Sequence, residues 1–303
     1  MTRRFTSLAG LMLLPALTIA ELHAVVVEGL PGDQVYAEQF DRQVTAISMA
    51  LRSVTERERV RVFRSDEASR DAVLGHLESL QSEVRSSDQF ALFLIGHGSY
   101  DDVEYKFNIP GPDLTGEDIA ASLDEMRTAD QVFVNTSSSS GAMVDLVASE
   151  DRIVVLATRS GAERHATRFG DYFAIALGDP GADIDKNQRI SVEEAFDFAE
   201  RQVSDHFERN DQLATEHARL EGQNADRMAL ARLGGVQPNV VDTALGELID
   251  DRDALNAEID TLRLGRDDMP QADYQSALLE KMLELARVED AIEARQEELG
   301  ANE

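Results

Sequence analysis

Residues 88–100 read DQFALFLIGHGSY, an unbroken apolar run from Phe90 to Ile95 closed by Gly96-His97-Gly98. A run this short and aliphatic, bounded by polar residues, predicts a central strand of a parallel sheet buried on both faces. His97 then stands at the strand's carboxyl end, where open α/β sheets bind ligands in the crevices outside the strand ends. The next strand, Gln131 to Asn135 (QVFVN), runs into Thr136-Ser137-Ser138-Ser139-Ser140-Gly141, so a histidine and a cluster of hydroxyls are expected at one sheet edge.

Working outward, His23 to Glu28 (HAVVVE) predicts a first strand turned by Gly29-Leu30-Pro31-Gly32, and Val60 to Phe63 (VRVF) a second. Helical patterns cover about Ala37 to Val54 and Glu67 to Val84, with apolar Phe40, Val44, Ile47, Met49 and Leu51 on roughly one side of the first. A connection from Asp101 to Leu114 leads to Thr115 and Asp118, spaced as a capping box for a helix to about Met126. A helix from about Ala142 and a fifth strand, Ile153 to Thr158, complete the alternation, which specifies a parallel sheet with helices on both faces. Two more helices follow, from Phe169 to near Gly178 and from Ala195 to about Phe207.

The expected divisions are a leader over 1–20, an α/β domain over 21–207, a linker or surface excursion over 208–240 and a helical hairpin over 241–303. Leu245, Leu248, Ile249, Leu255, Ile259 and Leu262 recur at helical spacing, 265–270 breaks the pattern, and Leu278 to Ile292 resumes it. This coiled-coil-like hairpin suits a stabilising appendage or self-association.

With 303 residues and 43% hydrophobic content the chain can build a real core beside an appendage. A net charge of −29 excludes nucleic-acid phosphates as a partner and argues against anionic lipid. There is no cysteine, which rules out disulfides, thiolate metal sites and a cysteine nucleophile. Met1-Thr2-Arg3-Arg4, an apolar run through Leu17 and Thr18-Ile19-Ala20 form the pattern of a secretory signal peptide cleaved after Ala20, hence a periplasmic or extracellular protein. After leader removal no segment is long enough to span a bilayer as a helix.

A histidine before glycine at a strand end suits a catalytic base, because imidazole titrates near neutrality and glycine admits a backbone amide close to a developing oxyanion. Hydroxyls at a helix start lie among unpaired amides, so Ser137 to Gly141 fits an anion or oxyanion site, or simply a cap. Together, the His97-Gly98 strand end, the serine strand closing on x-Ser-Gly and the loop after the fifth strand resemble the legumain-like peptidases of the caspase fold (clan CD), over roughly residues 22–178. The family's nucleophile strand reads Glu-Ala-Cys-x-Ser-Gly-Ser-Met. Aligned on Ser140-Gly141-Ala142-Met143, it puts Ser138 on the cysteine, as in a divergent bacterial-type member.

The resemblance implies a caspase-like parallel sheet flanked by helices, His97, Gly98 and Ser138 at the catalytic positions, and the loop from Ala157 through Arg159 and Ser160 to Arg164 as a wall of the substrate pocket. The family's Gly-Ser-Asn asparagine falls on Pro31 and its pocket arginine on Ala37, so asparaginyl cleavage is not carried over. A serine needs a better placed base than a thiol and a third group behind it, for which Asp101, Asp102 and Glu104 are near in sequence. The expected function is therefore peptide or protein binding by a pseudoenzyme, with a hydrolase using Ser138 as nucleophile and His97 as base as the alternative.

One further motif stands apart. Asp183, Asp185, Asn187, Ser191 and Glu194 occupy positions 1, 3, 5, 9 and 12 of an EF-hand loop, with the Arg189 carbonyl at 7 and Ile190 at the apolar position 8. Gln188 stands where the invariant glycine is usual. The expected ligand is Ca2+.

Overall fold

The computed structural model describes residues 20–64, 67–128, 130–233 and 269–300, with isolated positions between 248 and 262. The expected leader lies outside the described residues, except for Ala20, and so does most of the hairpin's first arm.

A six-stranded sheet forms the centre. Its parallel members are β1 (Leu22–Glu28), β2 (Val60–Phe63), β3 (Gln89–Ile95), β7 (Asp130–Asn135) and β8 (Arg152–Leu156). The sixth, β10 (Arg219–Glu221), runs antiparallel along β8, giving the order β10-β8-β7-β3-β1-β2. The chain leaves β1 for β2 on one side and crosses to β3 on the other, so the order reverses at β1 and opens a crevice beyond the carboxyl ends of β1 and β3. The mixed α/β architecture is the one expected from the alternation of apolar runs and helical patterns.

Helices cover both faces. On one lie α1 (Gln34–Leu51), α5 (Phe169–Ala176) and α6 (Val192–Arg209); on the other α2 (Arg70–Glu83), α3 (Gly116–Glu125) and the short α4 (Val144–Val147). Alternate strand residues serve alternate faces: Ala91, Phe93 and Ile95 of β3 join the first core, Phe90, Leu92 and Leu94 the second. A strand buried on both sides has no polar face, and this is why its sequence is a continuous apolar run. Helix α1 begins before the expected Ala37 because the Asp33 carboxylate accepts from the Val35 amide and caps it there.

Two stretches depart from expectation. The connection over 101–114 supplies the middle strand of a small antiparallel sheet made by β4 (Gly98–Tyr100), β5 (Tyr105–Phe107) and β6 (Leu114–Thr115). The stretch 208–240, expected as a linker or surface excursion, holds β10 and also β11 (Ala229–Arg232), which pairs with β9 (Arg189–Ser191). Met228, Leu230 and Ala231 are buried in the first core, and the buried Glu216 accepts from the amides of Arg168 and Phe169 at the start of α5. These strands are only three and four residues long, so their pairing partners make them strands rather than any local pattern.

Helix α7 (Gln271–Gly300) covers the stretch expected as the second arm of a hairpin, and it leaves Leu279, Met282 and Leu283 exposed. Among the described residues no helix is long and apolar enough to cross a membrane.

At the amino-terminal edge, buried Asp88 ties β3 to the entry of β1. It accepts from the amides of Arg85 and Glu21 and from the Arg85 guanidinium. Burial alone would raise its pKa; the hydrogen bonds from Arg85 and Glu21 outweigh that and hold it at about 2. A lowered carboxyl pKa stabilises the fold above the unfolded value and loses that contribution as pH falls toward 2. Asp88→Asn is expected to cost about 1–3 kcal/mol at pH 7 and to flatten the acid limb of urea melts between pH 4 and 2. A variant that melts with wild type at pH 7 contradicts this role.

Candidate functional site

The loops after β1, β3, β7 and β8 meet at the carboxyl edge of the sheet. The β1 loop is pinned first: the Gly29 amide donates to Ile95 O at 2.8 Å, Leu30 N to Asn108 O at 2.8 Å, and Asn108 N to His97 O at 3.0 Å. A side chain on Gly29 or Gly96 would strike the other residue's backbone or Phe107, so the two loops pack glycine to glycine. This brings the Pro31 carbonyl within 3.2 Å of His97 Nε2.

A carbonyl can only accept, so His97 Nε2 carries a proton and donates, leaving Nδ1 of the neutral ring as the acceptor nitrogen. The ring is held on edge by Tyr36 and Phe40, with centroids at 4.5 and 5.1 Å. The group behind His97 is thus a backbone carbonyl, and none of the three carboxylates expected from sequence fills that role. Asp101 caps its own turn by accepting from Val103 N and Glu104 N, Asp102 pairs with Arg164 at 3.0 Å, and Glu104 pairs with Lys106 at 3.1 Å.

The four serines after β7 have four different environments. Asn135 Nδ2 donates to Tyr105 OH at 2.9 Å, Tyr105 OH lies 2.6 Å from Ser137 Oγ, and Ser137 Oγ donates to Asn135 Oδ1 at 2.8 Å. With the tyrosine as donor to the serine, these bonds close a ring in which every proton has an acceptor. The ring is buried, and burial pushes the Tyr105 hydroxyl to about 12, so it stays protonated. Ser137 is locked. Ser140 Oγ is shared with the Thr158 hydroxyl and amide, and the Thr158 hydroxyl also takes the Gly141 amide.

Ser139 adopts a left-handed φ of 56°, and its hydroxyl is wholly buried with no partner among the described residues. Ser138, 5% exposed, is the member of the cluster that retains some access to solvent, and among the described residues neither its hydroxyl nor its amide has a partner. Gly98 makes this packing possible: an added Cβ would fall 2.6 Å from the Ser138 carbonyl oxygen. His97, Gly98 and Ser138 are gathered at one edge, yet no hydrogen bond joins His97 to Ser138.

Arg159 and Ser160 stand beside them. The backbone from Thr158 to Ser160 packs on Gly141, where no Cβ would fit, so the β8 loop walls the serine loop. The exposed Arg159 side chain lies 4.0 Å from Glu163, whose carboxylate also takes the Arg159 amide and His217 Nδ1, while the Glu163 carbonyl takes the Ser139 amide. Sequence reasoning missed Pro31, Tyr105, Asn135 and Glu163. Asn135 carried a readable signal, an amide closing an apolar strand before a run of hydroxyls; the other three carried none.

The acidic loop is elsewhere. Helix α5 starts at Gly170 against Thr136, on the carboxyl edge, and runs back along the sheet, so the loop after it lies at the opposite pole. Carboxylate oxygens of Asp183, Asp185 and Glu194 lie within 4.8 Å of one another. Asp183 accepts from the amides of Asn187 and Gln188, and Asn187 Oδ1 from Arg189 N, which starts β9. Gln188 takes φ 61°, the left-handed turn for which glycine is usual. Ser191 and Glu194 also form the capping box of α6. The side chain of Gln188 accepts from Arg252 and donates to Glu289 of α7, so both meet the acidic loop.

No family model and no curated protein matches the chain. Among solved structures, the chain is similar to a protein from Geobacter sulfurreducens at 10% identity, TM-score 0.45, covering 67% of this chain and 94% of that one. It is similar at 8% identity and TM-score 0.45 to caspase-1 from Spodoptera frugiperda, covering 72% of this chain and 92% of that one.

Tyr105→Phe removes the hydroxyl that closes the ring and strands buried Ser137, at an expected cost of about 1–3 kcal/mol. Adding Ser137→Ala is expected to recover part of that loss, because the two residues share one network. Urea melts of the two single variants and the double variant measure the coupling; additive losses contradict the ring.

Proposed function

We propose that the chain is an exported, legumain-like protein of the caspase fold, with Ser138 in place of the nucleophilic cysteine, that binds an extended peptide or protein segment at the carboxyl edge of its sheet. The observation that carries this reading is the disposition of His97, whose ring is engaged by Pro31, Tyr36 and Phe40 and makes no hydrogen bond to Ser138. A serine hydroxyl is a weak nucleophile unless a base takes its proton, whereas a thiol ionises by itself. The edge keeps the binding parts of such a site, namely a pinned β1 loop, a walling β8 loop and an unpartnered Ser138 amide. Export rests on the leader pattern; β1 begins at Leu22, so cleavage after Ala20 spares it.

A hydrolase using Ser138 and His97 is favoured by one observation: of the four serines, Ser138 alone combines a free hydroxyl with solvent access, and the free nitrogen of His97 is the basic one. A serine-directed fluorophosphonate probe separates the readings. No labelling of the wild type is expected, and Ser138→Cys is expected to gain alkylation by iodoacetamide that slows in His97→Ala. Wild-type labelling lost in both Ser138→Ala and His97→Ala overturns the binding reading in favour of the hydrolase.

The acidic loop is proposed to hold calcium through Asp183, Asp185, Asn187, the Arg189 carbonyl, Ser191 and Glu194, an oxygen-only donor set that suits a hard cation. Its place opposite the carboxyl edge gives the ion a role in joining the α/β body to the C-terminal helices, outside any chemistry. Calorimetric titration with calcium is expected to give heat with the wild type and none with Asp185→Asn. Asp185→Asn leaves the Glu194 cap of α6 in place, so equal heats in the two proteins would refute the site.

A further inference from the structure

We propose that the peptide taken at the carboxyl edge is a basic one and that Asp171 is the carboxylate that recognises its lysine or arginine, an inference that rests on the peptide-binding reading above. Helix α1 presents Tyr36, Gln39, Phe40 and Gln43 at spacing i, i+3, i+4, i+7, which is a single face. Tyr36 and Phe40 hold His97, while Gln39 Nε2 donates to Asp171 Oδ2 at 2.9 Å and Gln43 Nε2 to Asp171 Oδ1 at 2.7 Å. Asp171 is therefore about one helical turn, roughly 5 Å along the axis, from the aromatic pair beside His97. Its neighbour Gly170 packs against the Thr136 side chain and Gln43 Oε1, where a Cβ would come within 3.1 Å of both, so Asp171 adjoins the loop that carries Ser138.

The charge of this carboxylate is what sets it apart. Several acids of the edge already have cations: Glu163 has His217 and Arg159, Asp102 has Arg164, and Glu104 has Lys106, while Asp33, which has none among the described residues, caps α1 through the Val35 amide. Asp171 has two neutral amides, and among the described residues no lysine, arginine or histidine pairs with it. It is half-buried, oriented and uncompensated. A carboxylate offers about four lone-pair sites and the glutamines take two, which leaves acceptors for an ammonium or guanidinium. The Tyr36 ring, on the same face of α1, offers an apolar, π-rich surface to the stem of the same side chain. The first turn of α1, Gln34 to Ala37, carries no cation that could compete for the carboxylate.

The test measures fluorescence anisotropy of labelled ten-residue peptides, alike except for a central arginine, lysine, citrulline, norleucine or aspartate. Wild type is expected to bind the arginine and lysine peptides about tenfold or more tighter than their neutral counterparts, and aspartate weakest. Asp171→Asn is expected to bring the basic peptides down to the neutral ones while leaving the neutral affinities unchanged, and Glu83→Gln, at the far end of α2, to leave the whole pattern as in wild type. Gln39→Met, which releases one clamp and keeps the charge, is expected to weaken the basic peptides alone. A preference for basic peptides that survives in folded Asp171→Asn is general attraction to a surface of net charge −29 and overturns the assignment. Equal binding of basic and neutral peptides by wild type overturns it as well, with peptide binding itself left standing. Failure of every peptide to bind wild type removes the peptide-binding reading and this inference together.

Discussion

Burial of β3 on both faces is the constraint on which the molecule turns. With α1 on one side and α2 and α3 on the other, no position from Phe90 to Ile95 can carry a polar group without a costly unsatisfied bond. Polar function is thereby pushed to the strand ends. His97 is the first side chain past the carboxyl end that can be polar, and Asp88 the last before the amino end. The first is held by a carbonyl and two aromatic rings, the second by an arginine and two amides.

The same constraint on β7 shapes the serine loop. Asn135, the last buried residue of that strand, must satisfy its amide inside the protein, and it does so through Tyr105 and Ser137. Closing that ring consumes Ser137; the contact with the β8 loop consumes Ser140; the left-handed turn buries Ser139. Ser138 is left free by elimination. Which hydroxyl is accessible at this edge is therefore a consequence of which ones the fold has already used.

Much of this was legible in the sequence, and for a physical reason. Strands buried on two faces leave an apolar run with no periodicity to confuse, so the strands and their order of appearance were readable, as was the gathering of His97 and Ser138 at one edge. The Thr115–Asp118 pair announced the start of α3, because a capping box is local chemistry, whereas Ser191 and Glu194, read as loop ligands, also cap α6 and start it three residues before the expected Ala195. Groups defined by distant contacts left no trace. The carbonyl of Pro31 has no residue signature, Tyr105 lay in what read as a connection, and β10 and β11 are strands only because β8 and β9 offer them edges. Asp171 drew no attention in the sequence, because its two glutamine partners lie 132 and 128 residues away.

The most direct measurement uses the absence of cysteine in the chain, which gives a silent background for thiol chemistry. Cysteine is placed singly at 137, 138, 139 and 140, and the rate of alkylation by iodoacetamide is followed under native conditions. The account predicts that Ser138→Cys reacts, and that Ser137→Cys, Ser139→Cys and Ser140→Cys are protected until the protein is unfolded. Native reaction of Ser137→Cys or Ser140→Cys at the rate of Ser138→Cys would contradict the assignment of the free hydroxyl and, with it, of the site.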